Sequence, residues 1–136
     1  MSEARLFQDS AYLQKNQYRD SSNLDARAAL HRRFSTAVSD WQPWVFDLLQ
    51  LQPGMHVLEC GCGPGWLWRE NVARIPANCH ITLTDLSPGM VAEAEAALAG
   101  SGHQFDFRQA NIQALEFADE TFDVVVANHM LYHVPD

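Results

Sequence analysis

His56-Val57-Leu58-Glu59-Cys60-Gly61-Cys62-Gly63-Pro64-Gly65-Trp66-Leu67-Trp68 decides the reading of this chain. Val57 and Leu58 are apolar and strand-like, and Glu59 closes that strand. Gly61, Gly63 and Pro64-Gly65 then break it, and an apolar run starts at Trp66. The pattern predicts a strand, a glycine turn and a helix. That unit brings backbone against a nucleotide-like ligand in doubly wound α/β folds. Glycine suits the turn because a Cβ would block the approach and because such turns often need positive φ.

The spacing separates two ligand classes. A dinucleotide site wants G-x-G-x-x-G, with pyrophosphate on the helix N-terminus. Counted from Gly61 and Gly63, the third glycine would stand at position 66. Trp66 stands there, and the third glycine comes one residue early, at Gly65. A carboxylate such as Glu59 at the strand end suits a cationic ligand and would repel a pyrophosphate. The E-x-G-x-G-x-G pattern of residues 59–65 resembles motif I of the class I S-adenosylmethionine (SAM) methyltransferases. The structural alternative for the same string is a tight turn in another α/β protein.

A second stretch, Ile81-Thr82-Leu83-Thr84-Asp85-Leu86-Ser87-Pro88-Gly89, reads as a short strand closed by an acid. Ser87-Pro88 then opens a helix, because serine caps well and proline favours the first helical turn. Asp85 lies 26 residues after Glu59, close to the ~20-residue offset at which a strand-end acid reaches a ribose. A carboxylate accepts hydrogen bonds from two neighbouring hydroxyls, so it can recognise a ribose diol. The structural role open to the same residue is a second cap acceptor on the next helix.

The third stretch runs from Phe107 through Asn111-Ile112 to the apolar segment 122–127 and Asn128-His129. It resembles the methyltransferase region that leaves strand 3 and enters strand 4. That family usually has an Asp-Ala pair after strand 3, where the acid binds the adenine amino group. Here Asn111-Ile112 stand in its place. Asparagine can accept through its carbonyl oxygen but brings no charge. Residues 122–127 predict a parallel strand buried on both faces. Glu59, Asp85, Asn111 and Asn128 all fall at strand carboxyl ends, where ligands sit in such folds. The resemblance covers roughly residues 40–136 and is most specific over 55–65.

Composition bounds the rest. With 136 residues, 47% hydrophobic and 19% charged, the chain predicts one folded domain. The net charge is −8, with one lysine among nine basic residues and no basic run beyond Arg32-Arg33. An acidic chain without a basic stripe is a poor partner for nucleic acid or an anionic membrane. No apolar run nears 18 residues, so no transmembrane helix is expected. The opening MSEARLFQDS lacks the basic and apolar regions of a secretory signal. Cys60, Cys62 and Cys79 are an odd count without zinc-ligand spacing, and read as small buried thiols in a reducing cytoplasm.

The first 50 residues look helical and form one expected segment. Asp20-Ser21-Ser22 offer caps for a helix reaching about Phe34. A second helix runs from about Asp40 to Gln50, with Trp41, Trp44, Val45, Leu48 and Leu49 on one broad face. Pro53-Gly54 end it. Residues 51–136 form the second segment: strand 1 (55–59), helix (64–74), strand 2 (79–84), helix (88–99), strand 3 (104–109) and strand 4 (122–127). This alternation predicts a Rossmann-like parallel sheet in the α/β class. Family members continue past strand 4, so the chain is expected to be a truncated half-domain. Its strand 4 would then be a long apolar edge open to self-association.

The resemblance, on the side of the small-molecule and type 11-like enzymes, implies a SAM-dependent methyltransferase acting on a small-molecule acceptor. Residues 51–136 would be the SAM-binding half and residues 1–50 a lid, with Tyr12, Tyr18, Arg19, Arg27 and His31 able to touch the cofactor. Glu59, Gly61, Cys62, Gly63 and Gly65 would hold the methionine part. Asp85 would hold the ribose, Asn111 and Ile112 would border the adenine, and Leu86 and Asn128 complete the cofactor-binding set. His129 and His133 are the nearby candidates for a general base, since imidazole titrates near neutral pH. Spaced four apart, they could share a helix face. Trp66 and Trp68 read as helix–sheet packing. The Asn-Pro-Pro-Tyr motif of amino-methylating nucleic-acid enzymes is absent. Two other classes stay open: a non-catalytic SAM-binding or interaction module, and a nicotinamide-dependent oxidoreductase. By itself the 136-residue chain is expected to be inactive.

Overall fold

Residues 8–38 and 40–135 are described by the computed structural model of the chain. Four strands, β1 (His56–Cys60), β2 (His80–Asp85), β3 (Gln104–Gln109) and β4 (Val124–Val126), form one parallel sheet in the order β3-β2-β1-β4. His56 lies opposite His80, and His80 opposite Gln104, so the strands start level and end level. From β1 the chain builds outward to β2 and β3, then returns to place β4 on the other side of β1. The order therefore reverses beside β1, and a crevice opens at the carboxyl ends there.

Among the described residues five α-helices accompany the sheet: α1 (Ser10–Tyr12), α2 (Ser22–Phe34), α3 (Trp41–Leu49), α4 (Trp66–Arg69) and α5 (Pro88–Leu98). Asp9 caps α1 by accepting the Ala11 and Tyr12 N–H groups, and α1 runs into a π-helical turn, Leu13–Gln17. α5 begins as its sequence demands. The Ser87 side chain accepts the Met90 N–H, and Pro88 occupies the first helical position. Met90, Ala94 and Leu98 form its buried face, which packs over β2 and β3. Val57, Ile81, Leu83 and Trp68 complete the core without measurable exposure.

Three elements differ from their sequence expectation. The helix predicted over 64–74 is the single turn α4, followed by a 3-10 turn, Val72–Arg74. Asn71 stops it. Its backbone leaves helical geometry at φ −118°, and its buried side chain donates to the Leu67 and Gln42 carbonyls. α3 divides its apolar residues between two faces. Val45 and Phe46 are buried, whereas Trp41, Trp44 and Leu48 are exposed. β4 has three paired residues, not the six of segment 122–127, and is not buried on both faces: Val126 is buried but Val125 is 62% exposed. Its one strand neighbour is β1, so one edge and one face lack the cover that a mid-sheet strand has. Among the described residues, no helix is long and apolar enough to cross a membrane.

Candidate functional site at the carboxyl ends of β1 and β2

The turn after β1 is held by backbone bonds to β2. Cys62 N donates to Thr84 O at 2.9 Å, and the Thr84 hydroxyl donates back to Glu59 O at 3.0 Å. Gly61, Gly63 and Gly65 have φ of +69°, +55° and +79°. Their hydrogens face different neighbours. A Cβ on Gly63 would meet nothing closer than the Leu24 Cδ1 at 3.7 Å, so its face is open toward the cleft. A Cβ on Gly61 would meet Met130 Cγ at 2.8 Å. A Cβ on Gly65 would meet Leu98 Cδ1 at 3.0 Å and Ala94 Cβ at 3.3 Å. The third glycine thus lets α5 approach the turn. It is not among the residues that line the cleft, although Pro64 and Trp66 on either side of it are.

Glu59 is the penultimate residue of β1, since the strand continues to Cys60. It is 3% exposed, and its Oε2 accepts the Trp68 Nε1–H at 2.7 Å. Burial pushes its carboxyl up to about 8; the Trp68 hydrogen bond opposes that rise and the nearby Asp85 charge adds to it. Asp85 Oδ2 accepts the Gly63 N–H at 2.9 Å, and Oδ1 accepts the Ser87 N–H at 2.8 Å. Burial raises this carboxyl too, against the backbone bonds from Ser87 and Gly63. The site therefore sets the buried Glu59 carboxyl beside the partly buried Asp85, whose rise the nearby His133 also opposes. The thiols of Cys60 and Cys62 are raised, first by burial, and Cys62 Sγ donates to Gly63 O at 3.2 Å. Both are protonated packing groups.

The crevice at these strand ends opens into a cleft of about 1370 Å³. Glu59, Gly61, Cys62 and Gly63 line it from the turn, and Asp85 and Leu86 from the end of β2. Asn111 and Ile112 line it beyond β3, and Asn128, His129 and His133 beyond β4. Asn111 Oδ1 accepts the Gln113 N–H at 3.0 Å, so this oxygen already caps the 3-10 turn Ile112–Ala114. The opposite wall is the N-terminal segment, where Tyr18, Arg27 and His31 line the cleft and Tyr12 and Arg19 do not.

The N-terminal wall is pinned at three places. Ser21 N donates to Glu93 Oε1 at 3.0 Å. The Arg19 carbonyl packs where a Cβ on Gly89 would be, 2.0 Å away, so no other residue fits there. Tyr18 Oη lies 2.8 Å from His133 Nε2 and accepts the Arg27 guanidinium N–H at 3.2 Å, joining the two walls across the cleft. His129 has φ of +52° and stacks on Trp41 at 4.8 Å between centroids. His133 belongs to a 3-10 turn, Leu131–His133. The two histidines therefore do not share a helix face, because the positive φ at His129 breaks the chain direction between them. Among the described residues no three His, Cys, Asp or Glu side chains are grouped to hold a metal ion.

Sequence reasoning took Trp68 as packing and missed Met130, which lines the cleft against Gly61. Trp68 packs, with Phe46 and Phe105 edge-on to it, but it also binds Glu59. A polar-edged aromatic placed nine residues after a strand-end acid was the available signal.

The methyltransferase domain family matches residues 57–136, more than half of the chain. Over 126 residues the chain is 36% identical to the ubiquinone biosynthesis O-methyltransferase of Xanthomonas euvesicatoria pv. vesicatoria (strain 85-10), covering 85% of this chain and 51% of that protein. It is 38% identical over 79 residues to the malonyl-(acyl-carrier protein) O-methyltransferase of Erwinia billingiae (strain Eb661), covering 55% of this chain and 27% of that protein. The chain thus spans about half the length, or less, of these relatives. Among solved structures it resembles magnesium protoporphyrin IX methyltransferase from Synechocystis PCC 6803 with bound SAH, with a TM-score of 0.58 and 19% identity over 88% of this chain and 57% of that one. At that identity the likeness shows a shared fold.

Proposed function

We infer that this chain, which belongs to the methyltransferase domain family, holds S-adenosylmethionine in the cleft and serves transfer of its methyl group to a small-molecule acceptor. One observation carries the reading. The buried Glu59 carboxylate, without a basic partner among the described residues, stands beside a glycine turn whose Gly63 N–H is fixed by Asp85. A buried acid that burial holds protonated to about 8 suits a cationic guest, which supplies the countercharge that ionises it, and offers a pyrophosphate none.

The residues fit the cofactor in chemistry and in space. Glu59 would take the cationic amino group, and the open Gly63 face would admit the ligand backbone-close. Each Asp85 oxygen already accepts one backbone N–H and keeps a lone pair for a ribose hydroxyl. Leu86, Ile112 and Asn128 would flank the adenosine, with Asn111 at its edge. When bound, the cofactor supplies an activated methyl on sulfur, so the protein's work is positioning and exclusion of water. The described part of the N-terminal segment, residues 8–38 and 40–50, acts as a lid over residues 51–135. His133, which bonds Tyr18, would take a proton from the acceptor, and His129 lines the same cleft. The cleft exceeds the ~300–1,000 Å³ of ordinary small-molecule sites, which leaves room for cofactor and acceptor together.

The names of the relatives favour an oxygen acceptor. The acidic charge argues against nucleic acid, and the cytoplasm is the compartment that suits three unpaired thiols. The exposed Val125 at the β4 edge supports self-association through that strand. Equilibrium dialysis with methyl-labelled SAM tests the reading. Retained label that SAH displaces, and NAD does not, supports it. Label displaced by NAD, or no retention, overturns it.

A further inference from the structure

We propose that Trp68 is a positioning residue for the cofactor: its indole N–H holds the Glu59 carboxylate so that the other oxygen meets a cationic amino group in the cleft. This rests on the reading of the cleft as a SAM site.

The geometry is specific. Trp68 Nε1 lies 2.7 Å from Glu59 Oε2, and the two residues are 0% and 3% exposed. Phe46, from α3, meets the indole edge-on at 6.1 Å, and Phe105, from β3, at 6.3 Å. The ring is clamped between two elements, so its N–H direction is fixed. Packing alone would accept another large apolar side chain at this position. The hydrogen bond would not, because only tryptophan supplies a donor at that reach and size.

The donor also sorts the two carboxyl oxygens. An indole N–H donates and never accepts, so Oε2 serves as acceptor whether or not Glu59 is protonated. Oε1 has no hydrogen-bond partner among the described residues and is not sealed from solvent, and Glu59 lines the cleft. The proton of a neutral Glu59 therefore sits on Oε1, where an ammonium group would displace it. Of the groups facing Glu59, Asp85 opposes its ionisation, and Cys60 and Cys62 are neutral thiols. Asp85 is itself engaged by Gly63 and Ser87 and lowered by His133, so the ligand's amino group is the countercharge left for Glu59.

Two ligands separate positioning from packing. SAH carries the amino-acid head; 5′-methylthioadenosine has the same adenosine and thioether without it. Calorimetry on Trp68→Phe should show SAH weakened about tenfold and methylthioadenosine unchanged. Glu59→Gln should weaken SAH alone, and adding Trp68→Phe to it should change little further. The pH at which SAH affinity is lost should move upward in Trp68→Phe, since the carboxylate loses a donor. The wild-type indole resonance gives a reading that needs no core variant: the Trp68 Nε1–H signal should shift with SAH and stay still with methylthioadenosine. Equal weakening of both ligands, or an indole signal indifferent to SAH, would overturn the proposal while leaving the cofactor site in place. Failure of both ligands to bind the wild type would overturn the site and the proposal together.

Discussion

The Asp85 carboxylate accepts the Gly63 N–H at 2.9 Å, so the acid that ends β2 fixes the turn that leaves β1. Its other oxygen accepts the Ser87 N–H and shapes the entry to α5. One side chain thus sets the glycine turn and the start of the next helix, and both border the cleft.

Asp85→Ala should remove both acceptors and any bond to ribose. SAH affinity should fall by roughly 2–4 kcal/mol, with a loss of thermal stability alongside. Asp85→Asn keeps one carbonyl acceptor and should recover part of the stability but less of the affinity. Calorimetry and thermal melting read the two effects separately. Unchanged SAH affinity in Asp85→Ala would remove the ribose assignment.

Gly63→Val and Gly65→Ala should fail in different ways. Gly63 combines φ of +55° with an open face toward the cleft, so valine there should abolish SAH binding. Gly65 faces Leu98 and Ala94, so alanine there should push α5 outward and lower stability by about 1–3 kcal/mol, with a smaller effect on the ligand. Denaturant unfolding and ligand titration of both variants make the comparison. Equal ligand losses would contradict the division of roles.

Much of this was legible because local chemistry decides it. The period of β1 and β2, the glycines between them and Ser87-Pro88 leave few alternatives for residues 56–98. β3 was read to its ends. What escaped depends on groups distant in sequence. Asn71 ends α4 early through bonds to Leu67 and Gln42, which no propensity encodes. Gly65 was read from a motif, yet its neighbour is a helix 29 or more residues on. Trp68 showed its bulk in the sequence, but its partner Glu59 appears only once the turn folds back. His129 and His133 have helical spacing, and a positive φ at His129 removes its meaning.

Stability should fall as pH rises through the weakly acidic range. Glu59 has a folded value near 8 against 4.5 for the ordinary group. The folded chain then binds the proton more tightly than the unfolded chain between those values. Its contribution is present at the low end of the window and is lost toward pH 8, at up to roughly 1.4 kcal/mol per pH unit. Asp85, also raised by burial, acts in the same direction. Glu59→Gln should flatten this slope, and saturating SAH should reduce it by holding the carboxylate ionised. Denaturant midpoints at several pH values between 5 and 8 check the sign, and wild-type stability that rises over that window would refute it.

Tyr18→Phe should loosen the lid without harming the sheet. The hydroxyl bonds His133 across the cleft and Arg27 on its own wall, so its loss should raise amide exchange in residues 10–27. Protection of β1 and β2 should stay as in the wild type. Exchange that rises throughout the sheet would mean that the N-terminal segment is part of the core.

Calorimetric titration of the purified protein with SAH, and in parallel with NAD, tests the central claim most directly. Saturable SAH binding at one site, lost in Gly63→Val, is expected, with no heat of binding for NAD. Binding of NAD, or SAH binding that survives intact in Gly63→Val, would contradict it.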